Sequence, residues 1–345
     1  MASELNTTTI SLTPGAHSNI NWDLVGALSD TIDILGSVVI PVSGGVGILC
    51  NMFTVCVVCF MGVHTSSLVY MLLIALGDSL SVAIDAIVNI GFTHWNWVVV
   101  LARSSMFCRF GQWISYLTTF ATQYTLVLFT FDRFLAIARP IPYKNSLKSK
   151  LWYPVAATGV TYVAVSLLLV GNLYVFTLEN GSCLIDSTLS EGLQAFYFHY
   201  SVSFLYCGFP AAMLFVLNIA IIYKLKKPPS GSGGGGGSRS QERSITKGLL
   251  LVSCTYLLLT FLSSMSLFII FTQTQPRISA DDPKWEKWTV LLFYLAEWTG
   301  LMNQCVNFFL YILGSRFFRK EFFRMIKSTP KPNISQSRNT VAAAN

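Results

Sequence analysis

Several acidic side chains stand inside long apolar stretches, where a charge is costly unless it is paired or put to use: Asp78, Asp85, Asp132 and Glu297. Asp78 sits near the middle of one stretch, at a cost of about 3 kcal/mol on insertion scales unless it finds a partner. Asp85 follows two helical turns later on the same face, and Asn89 one turn beyond. Asp132 is followed directly by Arg133 at the polar end of another stretch. These residue types suit holding a cation and making or breaking an ion pair. They do not suit covalent chemistry. The chain has no paired carboxylates beside a reactive partner, no His/Cys cluster at metal-ligand spacing and no phosphate-cradling glycine loop. It therefore reads as a non-enzyme without a resident cofactor.

The elements that position these groups are membrane spans. Of 345 residues, 53% are hydrophobic and only 11% charged, which excludes a soluble domain. Apolar runs of spanning length fall at about 34–61, 68–92, 105–137, 151–176, 196–225, 245–272 and 287–313. An odd number of spans puts the two tails on opposite sides. Arg133, Arg139, Lys144, Lys148, Lys150, Lys224, Lys226, Lys227, Arg239, Arg243, Lys247 and the bases from Arg316 onward fall on one side. By the positive-inside rule that side is cytoplasmic, with the N-terminus outside. The basic face suits anionic lipid or an acidic partner rather than nucleic acid. Two glycosylation sequons, at Asn6 and Asn180, fall outside; a third, at Asn333, falls inside. No cleavable leader is visible, so the first span is expected to serve as its own insertion signal.

The expected organisation is an all-α membrane protein: a seven-transmembrane helix bundle plus a C-terminal amphipathic helix. It comprises a flexible extracellular tail (1–33), the seven-helix domain (34–313), the amphipathic helix (314–326) and a cytoplasmic tail (327–345). The Gly/Ser run 231–238 has the composition of a flexible linker and reads as an engineered replacement of the third inner loop.

The order of motifs resembles the rhodopsin-like (class A) G-protein-coupled receptors. The residues that carry the resemblance are Asn51, Asp78, Cys108 with Cys183, Asp132-Arg133, Pro210, Asn307…Tyr311 and the final amphipathic helix. Phe215–Leu225 and Asn307-Phe308-Phe309-Leu310-Tyr311 are similar to FMRFamide-type neuropeptide receptors and nearby orphan receptors responding to aromatic amino acids. Of eight cysteines, Cys108 and Cys183 alone fall outside the predicted helix interiors on the oxidising face, so they are expected to bridge, pinning the second outer loop over the third span as the family does.

The resemblance implies further roles. Asp78 would hold a sodium ion with Thr122, Asn303 and Asn307; a water-filled polar cluster is the alternative. Asp132, Arg133, Ile141, Glu242 and Tyr311 would form the inner coupling machinery, with Arg133 locked to Glu242; a helix-end ion pair and a surface acid are the plainer readings. Asp85 and Glu297 would face a central cavity and attract a cationic ligand group, with Asn89, Gln112, Ser115, Tyr116, Thr119, Phe268 and Trp298 shaping the rest. The alternative is that both acids serve helix packing through water or a base such as Arg109. The implied partners are a heterotrimeric G protein, an extracellular peptide or small-molecule ligand, membrane lipid and, as a further candidate, arrestin, at the plasma membrane.

Departures from the family pattern bear on these expectations. Ser115 stands where amine receptors carry an Asp, and Leu301 where opsins carry the retinal lysine. Tyr256–Leu262 replaces the family's Phe-x-x-Cys-Trp-x-Pro, so the sixth span lacks both the aromatic toggle and the proline kink. That leaves three readings: a receptor for a basic, amidated neuropeptide; one for a small amino-acid-like ligand; or a constitutively active or non-coupling receptor. A transporter is disfavoured because there is no internal repeat and no matched pair of broken helices.

Overall fold

The computed structural model describes residues 22–90, 104–139, 143–146, 150–179, 182–186, 188–190, 192–193, 196, 204–226, 236–273 and 283–327. The elements in chain order are α1 (Trp22–Ile34), α2 (Ile40–Met61), α3 (Ser66–Asp85), α4 (Ser105–Ala138), α5 (Trp152–Leu168), the short α6 (Asn172–Val175), β1 (Phe176–Glu179), β2 (Ser182–Ile185), α7 (Phe209–Lys226), α8 (Gly236–Gln273), α9 (Pro283–Cys305), α10 (Asn307–Gly314) and α11 (Arg316–Ile326). Among the described residues this is an all-α bundle with one small hairpin. The seven expected spans correspond to α2, α3, α4, α5, α7, α8 and α9 with α10.

Among the described residues five helical stretches are long and apolar enough to cross a membrane: Gly26–Met61, Ser66–Val88, Trp152–Val175, Phe204–Lys226 and Arg243–Ser266. The two expected spans outside this set, α4 and α9, carry the polar residues that build the sites below. Their hydropathy is lowered by Gln112, Gln123, Asp132 and Arg133 in one and by Glu297, Asn303 and Gln304 in the other. Burying such groups against partners, as for Asp132 and Arg133, makes such spans tolerable.

Two boundaries differ from the sequence expectation. Helix begins at Trp22, not near residue 34, because α1 runs through a π-turn (Leu35–Val39) into α2. Leu28 and Ile32, one turn apart, are buried against Leu291 of α9, and Lys287 Nζ reaches Ser29 Oγ at 3.4 Å. Residues 22–33 of the expected flexible tail are thus helical. Likewise α8 starts at Gly236, within the Gly/Ser run.

The core lies in the half of the bundle next to α11, where Tyr70 stacks on Phe129 with centroids 5.5 Å apart and Phe308 meets Phe322 at 5.2 Å. The seventh span breaks at Val306 although Phe308 stands where the family carries proline. The break is supported by side chains. Asn51 of α2 donates to the carbonyl of Gln304 at 2.9 Å. Gly47 lets α2 approach so closely that a Cβ there would lie 2.7 Å from that of Cys305. A backbone carbonyl freed inside a membrane helix needs such a substitute partner.

Candidate functional site

The outer end is built around Cys108, bonded to Cys183 with Cα atoms 5.5 Å apart. The bridge ties β2 to the top of α4, and β1 pairs antiparallel with β2 from Phe176↔Ile185 to Glu179↔Ser182. Arg109 Nε donates to the carbonyl of Phe176 at 3.1 Å, and Tyr116 stacks on Phe176 at 6.0 Å. Thr188 donates both its backbone N–H and its hydroxyl to Asp186. Those bonds, helped by Arg109, hold the Asp186 carboxyl below its ordinary range. Arg109 is thereby committed to the loop.

Beneath this cap, Ser115 donates to Asp85 at 3.2 Å. Thr119 and Ser81 share a hydrogen bond at 2.6 Å, joining α4 to α3. Gln112 and Ser115 are buried, and Tyr116 is partly buried. Glu297 of α9 is exposed, lies within electrostatic reach of Asp85, and has no basic partner among the described residues. Trp298 differs from expectation: its indole N–H donates to Ser43 of α2 at 3.2 Å. It holds α2 to α9, because Trp298 follows Glu297 by a 100° step that carries it to another face. The side chains of Asn89 and Phe268 lie outside the described set, as do residues Asn6 and Asn180.

Deeper in, Asp78 is almost fully buried and accepts from Asn307 Nδ2 at 2.6 Å. It borders a small cavity of about 20 Å³ lined also by Thr122, Gln123, Tyr256, Asn303 and Asn307. Asn303 Nδ2 donates to Thr260 at 3.3 Å, while its Oδ1 is buried without a partner. Thr122 donates to the carbonyl of Thr118 at 2.8 Å. The amide of Asn307 faces Asp78 with its nitrogen, so this residue braces the carboxylate rather than offering an oxygen at that contact.

At the inner end, Arg133 and Asp132 are 2% and 3% exposed, with Arg133 Nη2 2.5 Å from Asp132 Oδ2. Arg133 also donates to Ser66 and to Tyr143, each at 3.1 Å. The Tyr143 hydroxyl donates to Asp132 Oδ1 at 2.8 Å. Burial raises the Tyr143 phenol well above its ordinary range, so it stays a donor. The expected Arg133–Glu242 lock falls on a side chain outside the described set, as does Ile141. The described partners of Arg133 are Asp132 beside it on α4, Ser66 at the start of α3 and Tyr143 in the loop after α4. Ser66 was not singled out in the sequence; its place beside the cap residue Thr65 was the available signal. Tyr311 is buried, with its ring centroid 5.6 Å from that of Phe318.

The remaining junction that sequence reasoning missed is on α7. Residues 204–208 form a π-turn just before Pro210. Tyr206 stacks on Phe120 with centroids 5.1 Å apart, and the Tyr256 hydroxyl lies 3.2 Å from Gln123 Oε1.

Comparison with curated proteins finds no match. The 7 transmembrane receptor (rhodopsin family) profile matches residues 50–311, a range that includes Asn51, Asp78, the Cys108–Cys183 bridge, Asp132, Arg133, Glu297 and Tyr311. With that match and the disulfide-capped helical bundle just described, the chain belongs to the rhodopsin family of seven-transmembrane receptors.

Proposed function

We propose that the chain is a G-protein-coupled receptor of the plasma membrane whose ligand presents a cationic group, most simply an arginine of a basic, amidated neuropeptide. One observation carries the ligand class. Glu297 is exposed within a membrane helix, next to a second acid, Asp85, and has no basic partner among the described residues. A carboxylate in that setting is costly unless a cation is supplied. Arg109 is engaged with the Phe176 carbonyl, and Lys287 of the same helix as Glu297 reaches Ser29.

The family supports the rest of the reading. Agonist binding shifts a two-state equilibrium toward an open inner end, where Arg133 leaves Asp132, Ser66 and Tyr143 to meet the G protein. The orientation is N-terminus outside and C-terminus inside. The pocket at Asp78 fits a small monovalent cation: it offers a buried carboxylate, a buried amide oxygen of Asn303 without a partner, and about room for one water-sized occupant. Asp78 and Asn303 would hold sodium, with Thr122 beside them. When bound, sodium supplies positive charge that neutralises Asp78.

The test is nucleotide exchange by a panel of G proteins in membranes carrying the chain, with and without a library of amidated basic peptides. Peptide-stimulated exchange is expected, and Glu297→Gln should weaken it about tenfold, or about 1.4 kcal/mol. Unchanged potency at normal surface expression would remove Glu297 from the ligand site.

A further inference from the structure

Pro210 has no N–H, so the carbonyl four residues earlier, that of Tyr206, loses its helical donor. The π-turn over residues 204–208 widens this gap and frees a second carbonyl, that of Leu205. Both are met by tyrosines of neighbouring helices. Tyr124 of α4 donates to Leu205 at 3.0 Å, and the Tyr256 hydroxyl of α8 lies 3.4 Å from the Tyr206 carbonyl. Tyr256 is also in reach of Gln123, and Gln123 hydrogen-bonds the Tyr206 side chain. Backbone and side chain of Tyr206 are thus both linked to α8 through one hydroxyl and one amide.

The Tyr206 ring, stacked on Phe120, projects across the bundle until its hydroxyl lies 3.1 Å from where a Cβ on Gly300 of α9 would stand. Gly300 is one turn inward of Glu297, and Tyr206 lies within electrostatic reach of both Glu297 and Asp85. Meanwhile Thr260 stands where the family's helix-six tryptophan would be, and it is buried and bonded to Asn303. A small residue there leaves α8 without an aromatic ring of its own at that level, while the Tyr206 ring stands in the π-turn just before α7.

We infer that Tyr206 is the positioning residue that couples the acid pair Asp85 and Glu297 to α8, in place of an aromatic toggle on α8 itself. It forms the floor under Asp85 and Glu297, and displacement of its hydroxyl by a ligand's cationic group is read by Gln123 and Tyr256. The inference rests on the region around Asp85 and Glu297 being the ligand site. It gives a helix without the usual tryptophan and proline a route by which to respond. α8 runs unbroken from Gly236 to Gln273, so the yielding element is the π-turn of α7.

The test uses the full chain in lipid nanodiscs, with a fluorine label on Lys247→Cys at the exposed inner part of α8 and the exposed Cys56, Cys59 and Cys254 replaced by Ser. Gly300→Ala drives a methyl against the Tyr206 hydroxyl and should shift the populations of the label by about threefold. Adding Tyr206→Phe removes the hydroxyl that the methyl meets and should return them to the Tyr206→Phe baseline, a strongly non-additive pair. Tyr206→Phe alone loses the bond to Gln123 and should move the label in its own right. A label insensitive to Tyr206→Phe overturns the inference even if Gly300→Ala fails to fold. So does a Gly300→Ala shift that persists in the double variant. Nucleotide exchange is measured in parallel. Label shifts without exchange in any variant would keep the relay and sink the G-protein reading; exchange by the parent chain with a motionless label would do the reverse.

Discussion

Asn51 donates its side-chain amide to the backbone carbonyl of Gln304, 2.9 Å away and 253 positions later in sequence. The carbonyl is available because the seventh span breaks at Val306. The bond thus holds open, from the outside, a break that proline does not impose from within. Asn51 is fully buried, so no water replaces it. Interhelical hydrogen bonds in membranes average about 0.6 kcal/mol, but an orphaned buried acceptor adds to that loss. Asn51→Leu should therefore cost about 1–2 kcal/mol. It should also tighten the Val306 break toward continuous helix. Thermal unfolding in detergent reads the first effect and amide exchange at 306–310 the second; an unchanged melting point would show that the carbonyl finds another donor.

The inner cluster makes a second prediction. Tyr143 and Ser66 each contribute about one net hydrogen bond, near 1 kcal/mol, to holding Arg133 against Asp132. Tyr143→Phe and Ser66→Ala should each raise basal nucleotide exchange about fivefold if that arrangement is the resting state. Exchange that stays level in both variants would mean that Arg133 is restrained elsewhere.

How much of this was legible in the sequence depends on whether a feature is set by residue type or by facing. The spans, the buried acids and the Cys108–Cys183 bridge could be read because apolar run length and compartment decide them. The start at Trp22 could not, because Leu28 and Ile32 become core only where Leu291 of α9 packs on them. The resemblance implied a cavity role for Trp298, yet it follows Glu297 by 100° on the helix and is turned to Ser43. Ser66 and Tyr143 are ordinary residues until the fold brings them to Arg133. Tyr206 was hidden for a related reason: Pro210 announced a freed carbonyl, but not which helix would answer it.

The second outer loop carries a pH prediction. Thr188 holds the Asp186 carboxyl below its ordinary value of 3.8. A depressed carboxyl stabilises the folded loop above the unfolded value, and the contribution is lost as pH falls through the folded one. Hairpin protection measured by amide exchange at β1 and β2 should therefore be flat from pH 7 to 5 and fall only in stronger acid. Asp186→Asn should show the reduced protection at neutral pH already. Loss of protection between pH 5 and 7 in the parent chain would point to a different titrating group.

The last prediction concerns the cavity at Asp78. A carboxylate buried to 4% exposure is answered by one direct donor, Asn307 Nδ2, while Asn303 Oδ1 is without a partner. An acceptor-rich pocket of this size favours a bare cation over a donor-rich ligand, and lithium or sodium over the bulkier choline. Replacing sodium chloride by choline chloride at constant ionic strength should lower the melting temperature of the parent chain by a few degrees, since a ligand that binds only the folded state stabilises it by mass action. Asp78→Asn should abolish that sodium dependence while raising the baseline stability, because the desolvated charge is gone. Asn303→Ala should weaken the dependence without removing it. If Asp78→Asn keeps the full sodium response, the ion binds elsewhere and the pocket is a water-filled polar cluster.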